Sequence, residues 1–202
     1  MPTLHPTPLP GAVLDDPHCD AERLLYSAFA RRLGDAFTVL HSVAWLSRTL
    51  DAGARDGEAD FIVAHRTGGI FGVEVKGGAI SHDGATGRWH CRDRHDRVHE
   101  IDDSVKQARD NKYALRDKLR SLPGWRGEPP FLGQAVAFPN CTAPAQDLGL
   151  DLPRDIVIFS EDKAESTDRP VVWLRGERRI SNDKHRGQRD HHAAGGPRRT
   201  PG

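Results

Sequence analysis

The sequence predicts a single α/β domain in which a central mixed β-sheet lies between helices. Its length of 202 residues fits one domain with irregular ends. Two short apolar runs, at 61–65 and 70–76, are separated by glycines, which is typical of paired strands. Before these runs, apolar residues recur at helical spacing over 20–33, and after them a further helix is predicted over 103–119. We therefore expect three layers around one core.

The N-terminal part combines a proline-rich segment with the first helix. Residues 1–17 hold five prolines and few apolar side chains, which predicts a flexible or extended leader. Asp20 is of a type that caps helices, and Gly34 is of a type that follows a helix end. We therefore expect a helix over 20–33, followed by a strand over 37–46, where β-branched and aromatic residues are frequent.

A β-hairpin over residues 61–76 is the clearest local signal. Its turn, at 66–69, ends on two glycines, which allow the second strand to fold back on the first. A second, smaller hairpin is predicted for 80–83 and 88–91, around turn-forming residues.

The remaining elements are a helix over 103–119 and two buried strands, at 132–138 and 155–159. The helix is expected to end before Pro123 and Gly124. The domain should therefore span 18–174. From Arg175 onward there are eight Lys or Arg against three Asp or Glu and little to bury, so 175–202 is expected to be a disordered basic tail.

Composition excludes several classes of protein. No run approaches the roughly 20 apolar residues of a membrane helix, and the start lacks the pattern of a signal peptide, so a cytoplasmic protein is expected. The three cysteines are far apart and favour reduced thiols over a disulfide framework. There is no G-x-x-x-x-G-K-[ST] loop and hence no ATPase. Residues 1–174 carry a net charge of −5, so contact with nucleic acid should be local.

Three residues of the first hairpin form the main candidate site. Side chains alternate along a strand, so Glu74 and Lys76 should share one face of the sheet. Asp60 stands at the expected start of the partner strand and can approach Glu74. Two carboxylates beside an ammonium suit phosphodiester hydrolysis, with Mg²⁺ or Mn²⁺ offsetting charge between the carboxylates and the phosphate. Lys76 could stabilise the phosphate or position the attacking water, and the sequence leaves both roles open.

The strings around these residues resemble the nuclease-related domain (NERD) family of the PD-(D/E)XK nuclease superfamily. The resemblance runs over roughly residues 20–160 and rests on Gly57-Glu58-Ala59-Asp60-Phe61-Ile62-Val63, Gly69-Ile70 and Glu74-Val75-Lys76-Gly77-Gly78. It implies a restriction-endonuclease-like fold in which Asp60 and Glu74 bind the metal ion. It also implies that Val75 lends a backbone carbonyl and that Lys76 is catalytic. Glu22, in the first helix, and Gln107, in the later helix, are further site residues that the resemblance implies.

Simpler explanations exist for several of these residues. Glu22 lies in the first turn of its helix, where the helix dipole stabilises any acidic residue. Gln107 stands three residues after Ser104, as in a capping box. Glu58 alternates with Asp60 and is expected to be a neighbour that tunes charge rather than a further ligand.

Two clusters in the segment 88–99 are weaker candidates. His90, Cys91, His95 and His99 match no standard zinc spacing, so no zinc site is expected. An arginine-rich loop with one tryptophan could contact phosphates and stack a base, or it could be a solvated loop with the tryptophan packed beneath it. Its residues are Arg88, Trp89, Arg92, Arg94 and Arg97.

The expected function is a metal-dependent nuclease in DNA processing or repair. Its partners would be nucleic acid, DNA rather than RNA, and a helicase or another DNA-processing protein. The alternative is an inactive nucleic-acid-binding or adaptor module that has kept the fold. A glycosidase also uses paired carboxylates, but it would give Lys76 no task.

Overall fold

The computed structural model describes residues 1–49, 53–125, 131–144 and 152–161, without the side chains of 46–49 and 53–56. The basic tail predicted for 175–202 lies outside the described residues. Within the described residues, three α-helices and nine strands follow in chain order: β1 Thr3–His5, α1 Gly11–Asp15, α2 Asp20–Arg32, β2 Phe37–Thr49, β3 Gly53–His65, β4 Gly69–Val75, β5 Ala79–Asp83, β6 Arg88–Arg92, β7 Val98–Ile101, α3 Ser104–Ser121, β8 Leu132–Phe138 and β9 Val157–Phe159.

Six of these strands form a mixed sheet, which we call the large sheet, in the order β1-β2-β3-β4-β8-β9. β2, β3 and β4 are antiparallel neighbours, whereas β1, β8 and β9 run parallel to the strand beside them. The predicted hairpin over 61–76 is confirmed as the β3–β4 pair, in which His65 is opposite Gly69. Gly69 adopts φ +114, and a side chain there would collide with the carbonyl of Phe131.

The two long helices cover opposite faces of the large sheet, because successive strand residues point to opposite sides. α2 buries Leu25 and Phe29 against a cluster that includes Phe61 and Val73. α3 buries residues on the other face, with Val105 near β8 and Leu115 near Ile62 of β3. The predicted three-layer α/β architecture is confirmed and is consistent with a restriction-endonuclease-like fold.

A second sheet of three antiparallel strands, β5-β6-β7, follows the hairpin, and we call it the small sheet. β5 and β6 confirm the second predicted hairpin, whereas β7 was not predicted. Trp89 is buried and packs against Phe138 of the large sheet, with ring centroids 5.8 Å apart. The small sheet is therefore attached to the domain by its aromatic core residue.

The prediction of a flexible leader over residues 1–17 is wrong. β1 pairs in parallel with β2, and Leu9 is buried. α2 holds the intervening segment, because Arg23 Nη1 donates to three backbone carbonyls, those of residues 13, 14 and 16, and the Tyr26 hydroxyl donates to Pro6 O at 2.7 Å. Prolines lack an N–H but keep a carbonyl, so a proline-rich segment can be fixed through its acceptors.

Some predicted boundaries also differ. Asp20 does not cap α2; Cys19 is the N-cap residue, and Asp20 pairs with Arg23 at 3.1 Å within the first turn. β2 continues to Thr49 and β3 begins at Gly53, so Asp60 lies inside a long strand rather than at its start. Within the described ranges, no helix has both the length and the apolar character needed to cross a membrane.

Candidate active site

The core of the site forms where β3 and β4 separate. Their main-chain pairing ends at Phe61 and Val73. At the next residue of β3, the Asp60 side chain, instead of a backbone carbonyl, bonds to β4. Its Oδ2 accepts a hydrogen bond from Val75 N at 2.7 Å. Lys76 Nζ donates to Glu74 Oε1 at 2.7 Å, which confirms that these two side chains share a face. The structure thus brings Asp60, Glu74 and Lys76 together, as predicted.

α3 covers this face and supplies two amide side chains. Gln107 Oε1 accepts a hydrogen bond from Lys76 Nζ at 3.1 Å, and Asn111 Nδ2 donates to Glu74 Oε2 at 3.4 Å. The capping-box explanation of Gln107 is wrong, because Asp103 caps the helix by accepting from two backbone N–H groups. Asn111 was missed by sequence reasoning. Its position four residues after Gln107, on the same side of a helix, was the available signal.

Glu22 approaches the same place from the other face of the sheet. Its Oε2 lies 2.6 Å from His41 Nε2, and the His41 side chain is only 3% exposed. The charge of Glu22 contributes to the raised pKa values of both Asp60 and Glu74, so the three carboxylates lie close enough to interact. Glu22 also lies in the first turn of α2, so the helix dipole acts on it as well. His41 was missed, although it alternates with the buried Val39 along β2.

Burial makes the paired carboxylates costly in the absence of a further cation. Burial first, and then the charge of Glu74, raise the pKa of Asp60 to about 7, against the hydrogen bond from Val75 N. Burial also raises the pKa of Glu74, which is 3% exposed, although Lys76 opposes this shift. Like charges held close together in a dry site favour the binding of a cation.

The donor set suits a hard divalent cation. Asp60 and Glu74 offer carboxylate oxygens, which Mg²⁺ prefers. The N–H of Val75 points to Asp60, and the N–H and carbonyl of one extended residue lie on the same side of a strand. The Val75 carbonyl therefore also faces the space that β3 vacates. Within the described residues, no group of three or more His, Cys, Asp and Glu side chains is placed to hold a metal ion, so a site here needs that carbonyl or water.

Two glycines fix the chain directly after the lysine. A side chain at Gly77 would lie 3.3 Å from the Cβ of Ala21 on α2. Gly78 adopts φ +83, and a side chain there would collide with Cys91 Sγ. Gly78 therefore needs to be glycine, whereas a side chain at Gly77 would require Ala21 to shift by a few tenths of an ångström. The loop anchors Lys76, whose N–H donates to Ala137 O at 2.9 Å.

A family model described as nuclease-related domain, NERD, matches residues 19–139, which is more than half of the chain. The chain belongs to the nuclease-related domain family. This family is placed in the PD-(D/E)XK nuclease superfamily. The match includes every site residue from Glu22 to Asn111. Among curated proteins and among solved structures there is no significant match.

Around the nuclease-related site, Glu58 lies at the edge. It is exposed, and its Oε1 accepts a hydrogen bond from Ser42 Oγ at 3.3 Å. Its charge contributes to the raised pKa of Glu74. This agrees with a neighbour that tunes charge.

In the small sheet of the nuclease-related domain, Cys91 and His99 have hydrogen-bond partners within the protein. Cys91 Sγ donates to Gly77 O, and His99 Nε2 lies 3.2 Å from Asp93 Oδ2. No metal-binding group of His, Cys, Asp and Glu occurs there or elsewhere in the described part of the chain. Within the described residues, His90, Cys91, His95 and His99 therefore do not form a group that could hold a metal ion.

The arginine-rich loop is charge-balanced rather than free for phosphates. Three of its arginines pair with carboxylates of the same sheet and its loops: Arg88 with Glu100, Arg92 with Asp96 and Arg97 with Asp93. Arg94 is exposed and lies next to His95. Trp89 is only 6% exposed and cannot stack a base. The prediction of base stacking is wrong, and the alternative of a tryptophan packed beneath a solvated loop is confirmed.

Proposed function

We propose that this domain hydrolyses phosphodiester bonds of nucleic acid with the help of Mg²⁺ or Mn²⁺. The observation that carries the proposal is the convergence of Asp60 and Glu74 beside Lys76. Asp60 is half-buried and Glu74 is buried. Burial of ionisable carboxyl groups is costly, and such groups with shifted pKa values are typical of functional sites. Membership of the nuclease-related family supports the same chemistry.

Asp60 and Glu74, with the carbonyl of Val75, would hold the ion. When bound, it would neutralise charge on the phosphate and lower the pKa of a coordinated water. Asp60 is kept in place by its hydrogen bond from Val75 N. Glu74 is kept in place by Asn111. Glu22 would support the site from the opposite face.

Lys76 would act directly on the reacting groups. Its ammonium group bonds to Glu74 and Gln107, yet its side chain is 26% exposed. It lines an open cleft of about 380 Å³ together with Glu100, Ile101 and Asp102. From there the ammonium can stabilise the phosphate as a point charge, or position the attacking water. Gln107 would hold the amine for either role.

We further propose DNA rather than RNA as the substrate, in processing or repair, with a helicase or another DNA-processing protein as partner. The support is the family resemblance, since related domains often accompany helicases. Two acidic residues, Glu100 and Asp102, rim the cleft, so phosphate contacts close to Lys76 should be few.

The test is a cleavage assay on labelled single-stranded and duplex DNA and on RNA, with Mg²⁺, with Mn²⁺ and with EDTA. Glu74→Gln and Lys76→Met should each lower cleavage by at least about 100-fold, because the first removes a charge that would hold the metal ion and the second removes the cation that would act on the phosphate or the attacking water. Arg92→Gln, in the small sheet, is the matched control and should cleave like the wild type. Equal activity in all four proteins, or activity that EDTA leaves unchanged, rejects the proposal.

The second candidate is an inactive binding or adaptor module. It is favoured by the ion pair between Lys76 and Glu74, in which the ammonium already neutralises a carboxylate that would otherwise bind a metal ion. A stable complex with DNA, or with a DNA-processing protein, together with no cleavage under any of these conditions, would select this candidate.

A further inference from the structure

We propose that His41 is a positioning residue of this site, which holds the Glu22 carboxylate turned towards Asp60 and Glu74. The inference rests on the proposed function, because it assigns Glu22 a task beside the metal ion. It concerns a residue that the sequence motif does not contain.

His41 is placed rigidly. It lies within β2, where its backbone is paired with Phe61 of β3, and its ring packs against the Phe61 ring at 4.9 Å. The side chain is almost completely buried. A buried polar ring needs a hydrogen-bond partner, and in the described part of the chain that partner is Glu22.

Glu22 is the partner that needs to be oriented. Its side chain is 25% exposed, and a free glutamate at such a position samples several rotamers. One oxygen, Oε2, accepts the hydrogen bond from His41 at 2.6 Å. No described residue contacts Oε1 by a hydrogen bond, which leaves this oxygen for a ligand or for water. The charge of Glu22 contributes to the raised pKa values of Asp60 and Glu74, so Glu22 lies close enough to interact with both carboxylates.

The backbone next to His41 supports a functional role. Ser42 adopts φ +51, a conformation that is costly for a residue with a side chain. The β2–β3 pairing includes His41 with Phe61 and Val43 with Ala59, but it skips Ser42 and its opposite residue, Asp60. The strained residue, Ser42, therefore directly follows His41 and lies opposite Asp60, at the point where the β2–β3 pairing is interrupted. Such conformations persist where the surrounding structure enforces them, and they cluster at functional sites.

The experiment compares His41→Leu, His41→Gln, Glu22→Gln and the double variant His41→Leu/Glu22→Gln in the full chain. His65→Leu is the matched control, since His65 packs on Phe37 at the opposite end of the same strand pair. Thermal unfolding shows whether each variant folds. Mn²⁺ affinity is measured by electron paramagnetic resonance, and kcat and KM are measured on the nucleic acid that the wild type cleaves.

We expect His41→Leu and Glu22→Gln each to weaken Mn²⁺ binding or to lower kcat by about tenfold, with KM changed less than about twofold. The double variant should be no worse than either single variant, because both changes remove the same contact. His41→Gln, which keeps an N–H donor, should recover most of the loss. His65→Leu should leave Mn²⁺ affinity and kcat unchanged.

The outcomes separate this inference from the proposed function. If His41→Leu is folded and matches the wild type, or if the two losses multiply in the double variant, the inference is rejected while the nuclease proposal stands. If the wild type cleaves nothing but Mn²⁺ affinity follows the expected pattern, the nuclease proposal is rejected and the positioning role stands. If the wild type does not bind Mn²⁺, both are rejected.

Discussion

The large and small sheets carry similar sets of charged residues but differ in how deeply they bury them. The large sheet encloses Glu74 and His41, whose side chains are each 3% exposed. The small sheet, all of whose strand residues the structure describes, buries only Trp89 and keeps its arginines and carboxylates at the surface in pairs. Exposed pairs contribute little to stability, whereas a buried carboxylate must be compensated. The difference shows that burial, more than residue type, separates a candidate site from a solvated surface.

The largest effect on stability is expected at Trp89, which attaches the small sheet to the domain. Trp89→Ala should lower the free energy of unfolding by about 3–4 kcal/mol, since it leaves a cavity against Phe138. Urea unfolding measures the loss. His82→Ala, which removes the exposed ring stacked on Trp89, is the control and should cost less than about 1 kcal/mol. A small loss for Trp89→Ala would mean that this sheet does not depend on its aromatic core.

The next largest effect is the pH dependence of the unfolding free energy that Asp60 contributes. Its pKa is raised to about 7 in the folded chain from an ordinary value near 3.8, so the folded state binds the proton more tightly than the unfolded state. The contribution to stability is therefore complete below about pH 4 and is lost as pH rises through 7. With EDTA present, the wild type should lose about 1–3 kcal/mol of unfolding free energy over this pH range, and Asp60→Asn should not show this loss. The full pKa shift would give a larger figure, but Asp60 is partly exposed, so solvent screens part of the effect.

The measurement is the difference in unfolding free energy between wild type and Asp60→Asn from pH 4.5 to pH 8. Mg²⁺ should stabilise the wild type at pH 8 and have little effect at pH 4.5, where the carboxyl is protonated. Parallel curves for the two proteins would show that Asp60 does not titrate differently on folding.

Two serines test backbone strain in the two sheets. Ser42→Gly should raise the free energy of unfolding by about 0.5–1 kcal/mol, because glycine tolerates φ +51. Ser81, on β5, is a strand residue of the small sheet without a positive φ, so Ser81→Gly should lower stability by about 0.5–1 kcal/mol. Changes of the same sign would contradict the assignment of strain to Ser42.

The smallest effect is expected for a surface ion pair. Arg92→Gln removes the contact with Asp96 at 3.1 Å, and both side chains are more than half exposed. The free energy of unfolding should change by less than about 0.5 kcal/mol, and the difference should shrink further in high salt. A larger loss in urea unfolding would show that the surface charges of the small sheet are structural.

The sequence correctly predicted those elements whose structure depends on residues close together in the chain. The glycines at 68 and 69 and the apolar runs around them specified the β3–β4 hairpin, and strand alternation placed Glu74 and Lys76 on one face. β8 was predicted with its bounds at 132–138, because the apolar residues at its end are followed directly by the turn-forming Pro139 and Asn140. These features depend on neighbours along the chain.

Features that depend on distant partners were not predicted. β1 exists because β2 accepts it as a parallel neighbour, although the prolines on either side of β1 suggested a flexible segment. His41 and Asn111 joined the site only when the sheet and α3 were assembled, and neither belongs to the motif around Asp60. The glycine at 57 is explained by the ring of Trp45, which occupies the space of a side chain there. Such contacts are long-range in sequence.

The central claim is that Asp60 and Glu74, beside Lys76, form a site for a divalent cation. The most direct test is a crystal structure of the protein soaked with Mn²⁺, in which anomalous scattering locates the ion. The account predicts one or two peaks in contact with carboxylate oxygens of Asp60 and Glu74 and with the Val75 carbonyl. Peaks only elsewhere, or none with Lys76 still bonded to Glu74, would contradict it.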